Sequence, residues 1–328
     1  KLERHELIVD PQGLAASAHL QLDTGQRYRF GATTIKQDVI DENLMRRYLR
    51  YQEGQFYDTT SILRTQFALD DSQYFSSIEV QPRERNTDTL TVPVDIQGVA
   101  NRRNRYSIGA GYGTDTKYRG TLAWDDRLIN SHGHRAHLEI KASSITQQLG
   151  ANYIIPVGDP ALERLSVEST YGRTTYGDIT ATGLVVKPGL TQVLGNWQRV
   201  MYVELDRIIN RTNFTRSSDF SLIPGISYAS IPPGIFGQPV AGRGLYVELS
   251  GSHAALGSNS NFVRLFVQDD QRFDLSARWH LLLRGQIGIS IVSKFSELPA
   301  FERFFAGGDR SVRGFGLNDL SPVNQYGE

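Results

Sequence analysis

Arg313 stands in a run of unusual composition, Gly307-Gly308-Asp309-Arg310-Ser311-Val312-Arg313-Gly314-Phe315. A guanidinium stays charged and carries its donors in a planar fork, so away from water it must find carboxylates, carbonyls or aromatic faces. Gly314 permits backbone angles other residues resist, and Phe315 supplies an apolar anchor beside it. Such a group can fix a loop against a wall. The residue types serve a static plug and a switching element equally well, because a buried ion pair need not be net stabilising. Gly109, Gly111 and Gly113 are spaced by two, which could be mistaken for a phosphate loop. They interleave with large apolar residues and no helix follows, which argues against nucleotide binding. His132, His134 and His137 cluster as well, but with no cysteine in the chain and an alternating segment around them they read as solvated rather than metal-binding. No Gly-x-Ser-x-Gly elbow occurs, so these residues offer no hydrolase nucleophile; neither an enzyme activity nor a cofactor is expected.

The bulk composition narrows the setting. Hydrophobic residues make up 39% and charged residues 21% of the 328. No window approaches the ~20 continuous apolar residues a membrane helix requires. The mean hydropathy of -0.35 still admits a transmembrane barrel, in which only alternate residues meet lipid. Lys and Arg total 35, as do Asp and Glu, which gives no electrostatic reason to expect nucleic acid as a partner. A chain without thiols crosses an oxidising compartment without forming wrong bridges. Lys1-Leu2-Glu3-Arg4-His5-Glu6 lacks the features of a signal peptide, and Leu320 to Glu328 reads as loop. The chain is therefore expected to be an internal piece of a longer protein.

Ahead of the glycine-bearing segment the pattern predicts an α+β unit. Leu14 to Leu22 places Ala16, Ala18, Leu20 and Leu22 on one face of a strand. Arg27 to Ile35 begins another strand, after which Asp41 can cap a short helix carrying Leu44, Met45 and Leu49. Asp58 starts a second helix on which Ile62, Leu63, Phe67 and Leu69 are expected to gather on one side. Ser77 to Arg83 and Thr89 to Gln97 are strands, and 99–104 is a linker.

After Arg105 the reading is strand upon strand. Tyr106, Ile108, Ala110 and Tyr112 oppose Ser107 and the three glycines; Ala136, Leu138 and Ile140 oppose Arg135, His137, Glu139 and Lys141. Further candidates run over 118–125, 148–155, 163–176, 180–192, 197–211, 215–229, 241–254, 261–273 and 275–293. In the last, Trp279, Leu281, Leu283, Ile287, Ile289 and Ile291 share one parity; Arg278, His280, Arg284 and Gln286 share the other. A dry core would demand a partner for every charge on that second face, whereas a hydrated lumen would not. Eleven such segments of transmembrane length predict part of an antiparallel β-barrel, with a soluble β-sandwich or propeller as the blander alternative. Links such as Pro156 to Pro160 and Ser230 to Val240 fit the expected alternation of short turns and long loops. Tyr112, Trp124, Tyr153, Tyr171, Trp197, Tyr202, Tyr228 and Trp279 are candidates for interfacial aromatic girdles.

These residues resemble the outer-membrane assembly and translocation superfamily that joins POTRA domains to a sixteen-stranded barrel, the class of BamA, TamA and the two-partner secretion transporters. In that family the signature [V/I]-R-G-[F/Y] follows strand eleven, and Val312-Arg313-Gly314-Phe315 follows the eleventh candidate here. Phe304 to Phe315 is most similar to the TamA branch. The resemblance implies a POTRA domain at 27–98, the end of a preceding one at 1–26, and the N-terminal part of a barrel at 105–328. It implies a location in the bacterial outer membrane with POTRA domains in the periplasm, where a periplasmic or inner-membrane partner can dock. It implies unfolded outer-membrane or autotransporter clients. The glycine face of the first strand would make a weak seam with the last, opening into the bilayer and offering backbone groups to a client strand. The closing strands, with the acidic residue family members offer to the motif arginine, are absent from this sequence. Three alternatives stay open: a two-partner secretion pore for one substrate, a periplasmic scaffold whose barrel is only an anchor, and a barrel-anchored phospholipase with an upstream catalytic domain.

Overall fold

The computed structural model describes residues 2–10, 15–22, 25–114, 116–176, 179–212, 216–231, 244–293, 298, 302–308, 311–312, 314–316 and 320. The chain divides into two units, 1–101 and 102–328.

In the first unit β1 (Leu2–Asp10) and β2 (Ala15–Leu22) form an antiparallel hairpin. Leu7, Ile8, Val9 and Leu20 stay exposed on it, since a two-stranded ribbon has no second layer to bury them. There follow β3 (Arg29–Lys36), α1 (Glu42–Arg47), α2 (Thr59–Asp71), β4 (Phe75–Pro82) and β5 (Thr91–Ala100). The sheet has the order β3-β5-β4, with β3 parallel and β4 antiparallel to the central strand. Alternation turns Val92, Val94 and Ile96 inward, and Phe30, Leu44, Met45, Ile62, Leu69, Ile78 and Val80 complete the core. β5 runs past the expected boundary to Ala100, because Val99 and Ala100 still pair with Ser77 and Phe75.

Both helices depart from expectation in detail. Asp41 holds the N-cap position of α1 without a side-chain cap hydrogen bond. Gln37 organises the preceding turn instead, its Oε1 accepting from the backbone N–H of Val39 and Ile40. Asp58 does cap α2, and the hydrogen bonds it accepts, chiefly from the Thr60 N–H, hold its carboxyl below the ordinary range. α2 buries Ile62, Thr65 and Leu69, while Leu63 and Phe67 remain about half exposed. At 3.6 residues per turn, 62, 65 and 69 share a face and 63 and 67 form a separate i, i+4 pair.

The second unit contains β6 (Asn104–Gly113), β7 (Lys117–Asp126), β8 (Arg135–Ala142), β9 (Thr146–Pro156), β10 (Glu163–Tyr176) and β11 (Ile179–Leu194). It continues through β12 (Trp197–Arg211), β13 (Arg216–Ser230), β14 (Gly244–Ser252), β15 (Phe262–Asp274) and β16 (His280–Val292). Each pairs antiparallel with the next, giving an 11-stranded sheet whose two edges are β6 and β16. It is an open sheet, since these strands alone do not close on one another. Tyr106, Ile108, Tyr118, Leu122, Ile140, Tyr171, Ile287 and Ile291 on its apolar face are each more than half exposed. Exposure of that many large apolar groups on one face fits contact with lipid rather than water. Among the described residues no helix is long and apolar enough to cross a membrane.

Three expectations for this unit need correction. Tyr202 is not a girdle residue: it is 8% exposed on the polar face, having the opposite parity to Trp197 and Val203. The strand expected from Leu275 begins only at His280, because Leu275 and Ser276 donate backbone hydrogen bonds to the Trp279 carbonyl and close a turn. The links at 157–162 and 231–243 do not alternate ends. In an antiparallel meander both fall at the end where β6 starts, and 114–116, 143–145 and 177–178 link strands at the other.

The helix correction gives a test. Ile62→Ala should lower the stability of the first unit by about 2–5 kcal/mol. Leu63→Ala should change it by no more than ~0.5 kcal/mol. Proteolysis of the intact protein in a urea series, followed on fragments of residues 25–100, reads both; equal effects would put Leu63 back on the buried face.

Candidate functional site

The period of two along β12 presents Tyr202, Glu204, Asp206 and Ile208 on the polar face. Tyr202 is the register partner of Gly189 on β11 and of Gly225 on β13, and its ring lies over the latter: a Cβ at Gly225 would overlap it. With no side chain in the way, the phenol crosses β13 and donates to Glu248 Oε1 on β14 at 2.6 Å. Lys187 of β11 places Nζ 3.6 Å from the Tyr202 ring centroid and 2.9 Å from Glu204. Arg264 of β15 pairs with Glu248 at 3.1 Å and with Glu302, beyond β16, at 3.5 Å. Side-chain exposures of 10–17% for Glu204, Glu248, Arg264 and Glu302 take these pairs out of the solvated surface regime. Removing one partner would strand a charge that has little water to turn to.

Aromatic packing continues the same attachment. Phe304 stacks on Phe266 of β15 at 6.1 Å between ring centroids, with the Arg264 guanidinium 4.8 Å from its own. Beneath it is Gly288 of β16, the cross-strand partner of Phe266, where an added Cβ would stand 2.5 Å from the Phe304 ring. Leu298 is buried against Ile223 and Phe262, and its carbonyl accepts from Arg303 Nε at 2.9 Å. The start of the chain beyond β16 is thus held to the polar face by a charge, an aromatic ring and an apolar side chain.

The loop then turns back on itself. Ala306 and Leu320 exchange backbone hydrogen bonds of 2.8 and 2.9 Å, and the Gly308 N–H donates to the Phe315 carbonyl at 3.0 Å. Gly307 at φ 112° and Gly308 at φ 87° adopt backbone that side chains resist, which accounts for the glycine pair. Asp309 and Arg313 lie outside the described residues. Val312 and Phe315 are 42% and 50% exposed, and Gly314 has open space around it. The packed aromatic that the sequence reading assigned to Phe315 is, among the described residues, Phe304.

Gly109, Gly111 and Gly113 fall on the edge strand β6, opposite Thr121, Arg119 and Lys117. A Cβ at Gly109 would meet Thr121 at an ordinary 3.7 Å, and at Gly111 only the movable end of Arg119 is close. These glycines are not demanded by crowding. His134 contacts the Tyr153 hydroxyl and His137 contacts Asp125, each at 2.8 Å, so the histidines do not converge on one point. Sequence reasoning missed Lys187, Tyr202, Glu204, Asp206, Glu248, Arg264, Glu302 and Phe304 as a group. The available signal was charge at polar parity in strands otherwise fit for lipid.

Residues 101–327 match the family model of the Omp85 superfamily domain. The chain belongs to the Omp85 superfamily. It is 21% identical over 299 residues to the outer membrane protein assembly factor BamA of Nitratidesulfovibrio vulgaris (strain Hildenborough), spanning 86% of this chain and 37% of that protein. Among solved structures it resembles BamA from Haemophilus ducreyi lacking POTRA domains 1-3, with TM-score 0.75, 14% identity, and 98% of this chain and 66% of that one covered. It also resembles CdiB from Acinetobacter baumannii, with TM-score 0.56, 14% identity, and 96% and 61% covered. At these identities the likeness is one of fold. The chain spans little more than a third of the curated relative's length.

Gly288→Ala should displace Phe304 at a cost of about 1–3 kcal/mol and speed protease cleavage within 294–320 of this Omp85 protein. Gly109→Ala should leave the cleavage rate unchanged. Equal rates in both variants and the parent would show that the ring does not hold the loop.

Proposed function

We propose that this protein is an assembly or translocation factor of the bacterial outer membrane, adding client β-strands at the edge where its first and last barrel strands meet. The observation that carries the reading is an apolar, exposed sheet face whose first strand, β6, has no partner on its outer edge among the described residues. In hydrocarbon an unpaired backbone group costs several kcal/mol, so an opened edge recruits another strand as its natural ligand. Templating of that kind needs neither nucleotide nor covalent intermediate. The superfamily match and the fold shared with BamA support this function at the level of class. The narrower TamA likeness rests on residues 304–315 alone.

Residues 27–98 are read as a POTRA domain in the periplasm. Support comes from the β-α-α-β-β order and from the fold match, over 98% of this chain, to a BamA structure lacking POTRA domains 1-3. Its partners would be unfolded outer-membrane or autotransporter clients, the lipid bilayer, and a periplasmic or inner-membrane protein docking on the POTRA sheet. Arg313 is read as the loop's switch or plug residue.

Arg313→Ala should reduce display of an autotransporter client about tenfold, the effect of losing ~1.4 kcal/mol, while the barrel still inserts. Undiminished display would remove the loop from the mechanism. In the intact protein, a disulfide joining β6 to the final barrel strand should block client assembly reversibly under reductant; full activity of the locked form would exclude a lateral seam.

A further inference from the structure

We propose that Glu204, Asp206 and Glu302 form a binding site for a hard divalent cation of the Ca²⁺ class, which clamps the loop beyond β16 to the barrel wall. One ligand atom from each of the three carboxylates lies within 4.8 Å of the others. Ca²⁺ takes six to eight oxygens at about 2.3–2.6 Å in flexible geometry, a reach on the scale of this cluster, whereas Mg²⁺ demands a near-ideal octahedron. The donors are oxygen only, which favours a hard ion over zinc or copper.

The independent observation is Asp206. It is 1% exposed, and no N–H or hydroxyl donor reaches either carboxylate oxygen among the described residues. A buried carboxylate is not left bare, because the desolvation cost must be offset by charge or hydrogen bonds. The surrounding charge does not offset it. Lys187 is engaged by Glu204, and Arg264 is shared between Glu248 and Glu302. Among the described residues four carboxylates therefore face two cations here, and the excess of two negative charges is the charge of one divalent ion. Asp206 and Glu204 sit on β12, whereas Glu302 arrives from the loop, so the ion would bridge wall and loop. Cation affinity and loop docking would then be linked: whatever releases Glu302 also weakens the site.

The test uses the intact protein in detergent, stripped with EDTA and titrated with CaCl₂ alone. Calorimetry should give one saturable site per chain, binding Ca²⁺ at least tenfold more tightly than Mg²⁺. Saturating Ca²⁺ should raise the melting temperature reversibly and slow proteolysis within 294–320. Asp206→Asn and Glu302→Gln should each weaken Ca²⁺ binding tenfold or more and abolish the loop protection; Glu302→Gln lies outside the sheet, so it reports even if the β12 variant folds poorly. Glu139→Gln, a carboxylate of β8 paired with Lys141 and outside the cluster, should behave as the parent. Failure of the parent to bind Ca²⁺ below millimolar concentration would overturn the proposal. So would undiminished binding by both cluster variants. A higher-melting Asp206→Asn protein from a parent blind to Ca²⁺ would also overturn it, since the excess charge would then be met by protons or by a loop cation. None of these readouts depends on client transport, so failure here and failure of the assembly reading are separable.

Discussion

A strand crossing hydrocarbon must pair every backbone N–H and C=O with a neighbouring strand, because no water is present to take their place. The second unit follows from that constraint. Eleven strands pair each with the next in one meander, and interior strands such as β10 to β12 have a strand partner on both sides. Among the described residues the first strand, β6, keeps an unpaired outer edge. The proposed seam draws on that edge, since an unpaired strand edge is what another strand can add to.

The same alternation that gives lipid an apolar face collects charge on the opposite one. Burial there is affordable only in networks, and the cluster from Lys187 to Arg264 is such a network, reaching across strands wherever a glycine opens the way. Gly225 lets Tyr202 pass to Glu248, and Gly288 receives Phe304. Loop attachment and barrel wall are therefore one piece of chemistry. The described residues that attach the base of the loop, Leu298, Glu302 and Phe304, precede the motif at 312–315 in sequence.

Much of this was legible along the chain. A period of two sustained over a dozen residues has no helical competitor, so the segments at Glu163–Tyr176 and Trp197–Arg211 were read with the bounds the strands have. Short-range competition explains the misreadings in the first unit. Ile62, Leu63, Phe67 and Leu69 generate two overlapping helical stripes, and only the sheet beneath α2 decides which is buried. Tyr202 was misassigned by its aromatic type when its parity with Glu204 and Asp206 already spoke against lipid. The loop-holding cluster was invisible for a different reason: its members come from β11, β12, β14, β15 and the chain after β16. Their meeting depends on register, which single-strand patterns do not carry.

The central claim is that strand parity divides a lipid-wetted face from a water-wetted one. It is tested most directly by single cysteines placed at each position from 164 to 171 of β10, in a chain that has no cysteine of its own. Each is spin-labelled in bilayers and its exposure to oxygen and to a water-soluble nickel complex is compared. The account predicts oxygen maxima at 165, 167, 169 and 171 and nickel maxima at 164, 166, 168 and 170, alternating in antiphase. Profiles that rise and fall together, or show no preference for oxygen at any position, would contradict it.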